Sequence, residues 1–181
     1  MDIKFKYSNV YETHLNPDAR PLTHTEIVTK IATMEAFWKE YYTNIENAYK
    51  EVTGLSFKRD SVICYVNSGK TFSDPLSLEI EDDKDMQDNL VHELIHILLT
   101  DNHSSFEAKQ LELYKKFPEE VFTTKIHVIV HAIHLLVAQK LFPERVDRIV
   151  NYSVLRAYRK SWDIVKEMSA QAVVDSVFLN K

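Results

Sequence analysis

Apolar residues recur along this chain with two different periods, and the alternation between them divides it into helices and strands. Met1 to Tyr7 alternates, which places Ile3, Phe5 and Tyr7 on one face of a short strand. His14 to Leu22 contains Pro17 and Pro21 and reads as a loop. From Thr23 the period lengthens: Ile27, Ile31, Met34, Trp38, Tyr41, Ile45, Ala48 and Val52 share one face of a long helix. Gly54 stands just past its end, where a helix cap is expected.

Ser61 to Asn67 is a β-rich run closed by Ser68-Gly69, and Leu76 to Ile80 alternates as a further strand. Acidic residues from Glu81 to Asp85 suit the positive end of a following helix, expected over about Met86 to Thr100. Ser104-Ser105-Phe106-Glu107 has the spacing of a capping box and predicts a short helix reaching about Lys116. Pro118-Glu119-Glu120 suits the first turn of another, running to about Lys140, and Pro143-Glu144 opens a third. A last helix is expected from about Ser153 to Leu179, burying Leu155, Tyr158, Trp162, Val165, Met168, Ala172 and Val173 as plain core. The fold class expected is α+β: a mostly helical single domain over residues 1–181 with a small sheet.

Composition narrows the partners. The chain has 181 residues, enough for one real core, and only two glycines, which favours helices over tight hairpins. Its net charge of −5 provides no general attraction to phosphate backbones, so nucleic acid is not an expected partner. Cys64 is the lone cysteine; a disulfide within the chain and a cysteine-built zinc site are both excluded. Flanked by Val62, Ile63, Tyr65 and Val66, it reads as a buried strand residue. No signal-peptide core opens the chain and no stretch approaches the length of a membrane span, so a cytoplasmic location without membrane association is expected.

The helix expected after the acidic stretch carries His92-Glu93-Leu94-Ile95-His96 among Leu90, Val91, Ile97, Leu98 and Leu99. Residues four apart on a helix project from one side about a turn apart, so His92 and His96 can hold one metal ion together. Glu93, one step round from His92, can reach a water at that ion without being a ligand. Burying two imidazoles and a carboxylate is costly unless something pairs them, which favours a metal over a bare core network. Zinc needs a third protein ligand and an open position to do chemistry. It lowers the pKa of water from about 15.7 towards about 7 and polarises a carbonyl. Glu93 would take the water's proton and pass it to the leaving group.

A second group, His127, His131 and His134, lies at spacings of four and three in an otherwise aliphatic segment, all on one helical face. His131 at its centre is the first choice for the third ligand and His127 the next. The others would orient a ligand or stabilise an oxyanion. Glu119 and Glu120 compete as oxygen ligands.

The motif at His92 to His96 resembles that of the gluzincin metallopeptidases, especially the small minigluzincins. The order of parts over residues 24–138 is similar: a long backing helix, strands, the active-site helix, and a helix bearing the third ligand. The resemblance implies one zinc per chain, a peptide or protein substrate, and an edge strand at Leu76 to Ile80 that accepts extended peptide. It also implies a glutamate as third ligand, yet Thr124 to Gln139 contains none, so a histidine takes its place. The metzincin extension after His96 is absent as well. An oxyanion-stabilising side chain is sought among Tyr152, Arg156 and Tyr158, with Tyr158 retained as the candidate. The alternatives are a metal hydrolase of another substrate class, a zincin shell that is latent or without turnover, and a DinB-like metal-binding helix bundle, which needs no sheet.

Overall fold

The computed structural model describes residues 1–15, 22–151 and 155–179. Its element order is β1 (Asp2–Lys6), α1 (Asn9–Leu15), α2 (His24–Thr53), β2 (Ser61–Asn67), β3 (Phe72–Ser73), β4 (Leu76–Glu79), α3 (Asp83–Asn102), α4 (Glu107–Lys115), α5 (Phe122–Leu141), α6 (Val146–Asn151), α7 (Arg156–Met168) and α8 (Ala170–Phe178). The fold is α+β and mostly helical, with one four-stranded mixed sheet. That sheet removes the all-helical bundle from the alternatives. The chain divides into two compact units, and α2 and α3 each contribute residues to both.

The first unit contains Met1–Thr43 and Phe57–Ile97. Its strands lie in the order β1-β2-β4-β3, with β1, β2 and β4 parallel and β3 antiparallel to β4. Ile3 and Phe5 are buried as the alternation requires, and so are Cys64, Val66, Leu76 and Leu78. Leu76 to Ile80 is not the edge strand that was expected. Phe72 pairs with Ser77 and Ser73 with Leu76, while Thr71 Oγ1 accepts from the Glu79 backbone N–H. The outer side of β4 is thus already hydrogen-bonded, and β3 takes the edge. Buried Asn67 organises the turn into that edge: its Oδ1 accepts from the N–H groups of Gly69 and Lys70, and its Nδ2 donates to the carbonyls of Lys70 and Leu78.

α2 starts with a reciprocal cap, Thr23 Oγ1 accepting from Glu26 N and Glu26 Oε2 accepting from Thr23 N. It ends at Gly54, whose φ of +73° is the left-handed conformation that glycine adopts without a Cβ penalty. α1 was not expected: His14 and Leu15, read as the start of a loop, belong to its last turn. Pro17 and Pro21 lie outside the described residues. The acidic residues ahead of α3 do cap it. Asp82 Oδ1 accepts from Lys84 N, and Asp83 and Asp85 occupy the first turn. Lys30 Nζ fixes the same point by donating to Glu81 O at 2.7 Å and Asp83 Oδ1 at 2.5 Å. α3 is buried nearly all round, with Met86, Leu90, Val91, Leu94, Ile95, Ile97 and Leu98 at 2% exposure or less.

The second unit contains Asn44–Ser56 and Leu98–Lys181. α5 is its centre and packs against α6, α7 and α8. Three local expectations change here. Ser104 and Ser105 fall in a 3-10 turn and Phe106 is the residue before α4, so the Ser104–Glu107 spacing does not land on a cap. Pro118 to Glu120 form a turn ahead of α5, which starts at Phe122. The last helix is two, broken at Ser169, where φ is +69° and the hydroxyl accepts from Ala172 N to start α8. Leu155 (56% exposed), at the start of α7, and Ala172 lie outside the core, whereas Trp162, Val165 and Val173 are buried in it. The expected helix start at Ser153 lies outside the described residues.

By length and composition α5 also meets the criterion for a membrane span, contrary to the expectation that no stretch would. Eleven of its residues are buried, His127, His131 and His134 among them, as suits the central helix of a packed unit.

Candidate metal centre

α3 presents its histidines as the helical spacing requires, with the rings of His92 and His96 edge to face at 5.1 Å. His92 and Glu93 are each 9% exposed, and His96 is half-buried. Glu93 accepts a hydrogen bond from the Ser73 side chain, so the edge strand β3 does flank the motif helix. Burial pushes the Glu93 carboxyl up to about 7, and the Ser73 bond acts in the opposite direction. A carboxyl near neutrality both takes and returns protons, as acid–base work requires. Cys64 is fully buried in β2; burial raises its thiol far above the usual range and the Glu93 charge adds to this. It is therefore an inert thiol, as its apolar neighbours implied.

On α5, His127 Nδ1 lies 2.8 Å from the carbonyl of Thr123. A carbonyl only accepts, so Nδ1 carries the proton and Nε2 keeps its lone pair. Burial holds the His127 pKa below its ordinary value, outweighing the Thr123 bond and favouring the neutral ring that a metal requires. One ligand nitrogen from each of His92, His96 and His127 lies within 4.8 Å of the others, close enough to share one metal ion. The Nε2 atoms of His92 and His127 are buried and make no hydrogen bond, although both rings are engaged elsewhere. Three imidazole donors suit zinc and its first-row neighbours better than calcium or magnesium, which prefer oxygen.

Among the described residues these three alone form such a group. His131, the first choice for third ligand, is not in it. Its ring stacks on Trp162 (4.1 Å between centroids, 5° between planes) and its Nδ1 lies 2.8 Å from Ser161 Oγ. Glu119 is exposed, and Glu120 faces Lys160 at 3.8 Å. Tyr158 lies with its ring 4.0 Å from that of His127. Arg156 is exposed at the start of α7, and Tyr152 lies outside the described residues. The contributions of Ser73 and Ser161 had no signature in the sequence, because each depends on pairing between distant segments.

His134, the third histidine of the α5 face, is 4% exposed, and burial pushes its pKa from 6.5 down to about 4. The unfolded chain therefore binds a proton that the folded chain refuses between those values. This contribution is fully present above pH 6.5 and is lost as the pH falls towards 4, by about 3 kcal/mol in all. Urea denaturation at several pH values should show a shallower acid dependence in His134→Leu than in wild type; equal slopes would refute the assignment.

No family model, curated protein or solved structure matches the chain.

Proposed function

We propose that this chain is a zinc-dependent hydrolase, most simply a peptidase, with His92, His96 and His127 as ligands and Glu93 as general base and acid. The observation that carries this reading is the convergence of three histidine nitrogens within 4.8 Å, with Glu93 next to one of the ligands on the same helix. Bound zinc supplies a Lewis acid that polarises the scissile carbonyl and acidifies water.

The chain's own residues do the rest. Thr123 holds His127 in the tautomer that points a lone pair from Nε2. Ser73 holds the Glu93 carboxylate, which takes a proton from the attacking water and returns it to the leaving amine. Tyr158, packed on His127, is the side chain proposed to stabilise the developing oxyanion through its hydroxyl. The resemblance of the motif to the gluzincins favours peptide over other substrates.

Incubation with a pool of fluorogenic peptides tests the reading. The expected result is cleavage of at least one peptide, abolished by a chelator and restored by added zinc. Cleavage indifferent to chelation would refute the zinc mechanism, and no cleavage of any peptide would favour a zincin shell without turnover.

A further inference from the structure

Along one side of α5, a series of contacts with α7 sets the orientation of the histidines. Thr124 Oγ1 donates to Ala157 O, Tyr158 covers the His127 ring, and Ser161 meets His131 one turn further on. Ser161 is fully buried and its hydroxyl has one proton to give. The carbonyl of Tyr158, 2.8 Å away, can only accept that proton. Ser161 Oγ must then accept from His131 Nδ1–H, which fixes the tautomer of His131. Trp162 fixes the plane of the same ring by stacking on it. Thus held, the His131 ring meets the His127 ring at 5.4 Å and 60°.

We propose that Ser161 is a positioning residue of the metal centre: its buried hydroxyl holds His131 as a brace for His127 instead of as a ligand. This rests on His92, His96 and His127 being the ligand set. Partners that orient a ligand without touching the metal commonly change affinity by about 10- to 100-fold. A brace of this kind explains how an aliphatic helix keeps one imidazole aimed at a metal while the next, a turn away, has the same tautomer and stays out of the group.

Zinc affinity by competition with a chromophoric chelator, together with the visible spectrum of the cobalt-loaded full chain, tests this. Ser161→Ala should still bind one ion per chain, with affinity weakened about 10- to 100-fold and the cobalt bands shifted. A role confined to core packing would lower the melting temperature and leave those bands in place. His131→Asn covers the case in which Ser161→Ala does not fold. It keeps a donor near the Nδ1 position but lacks the ring, and should also bind one ion more weakly. Unchanged affinity and bands in Ser161→Ala, or complete loss of binding in His131→Asn, would overturn the assignment. Failure of wild type to take up zinc or cobalt would overturn the ligand set beneath it.

Discussion

Glu93→Gln is expected to lower peptide hydrolysis by about 100- to 10,000-fold while leaving the zinc content of wild type. The substitution keeps the shape of the side chain and its ability to accept the hydrogen bond from Ser73. It removes the one property on which the proposed chemistry depends, a carboxyl that burial has brought to about 7 and that can carry a proton in both directions. A drop in kcat with little change in KM would place the loss in the chemical step. If the variant retained activity, the base would be another group. If it lost the metal, Glu93 would be a ligand, and the three-histidine set would be incomplete.

The second large effect concerns stability. An ion that binds only the folded chain stabilises it by about 4 kcal/mol when its free concentration is a thousandfold above Kd. For a domain of this size that corresponds to a rise in Tm of about 8 to 16 °C. The rise should be seen when zinc is added to chelator-treated wild type and should vanish in His127→Ala, which leaves only His92 and His96. Thermal melts of both proteins with and without zinc provide the comparison. An equal rise in both would mean that His127 contributes nothing to the site.

Much of this architecture is legible in the sequence because the relevant physics is local. α2 declares itself through eight apolar positions and a closing glycine, and the limits of β2 follow from its β-branched run and Ser68-Gly69. His92 and His96 had to share a side of α3 once that segment was helical. Other features depend on partners that no window of sequence displays. β3 is two residues long and exists through its pairing with Leu76 and Ser77. α1 gives little warning, since Val10, one of its few apolar residues, is 71% exposed. The break at Ser169 interrupts a run of helical spacing with a serine in a conformation that serines seldom adopt.

The choice between His127 and His131 has the same cause. Both lie on one face of α5, both have a proton on Nδ1, and their spacing treats them alike. What separates them is what surrounds each ring: Ser161 and Trp162 of α7 hold His131, while Thr123 of α5 itself fixes the His127 tautomer, Tyr158 packs on its ring, and a nitrogen of His127 joins the group with His92 and His96.

Elemental analysis of the untagged chain, loaded with zinc and freed of excess, puts this ligand set to the most direct test. Wild type and His131→Ala should each hold about one zinc per chain, and His127→Ala none. Zinc retained in His127→Ala and lost in His131→Ala, or absent from wild type, would contradict it.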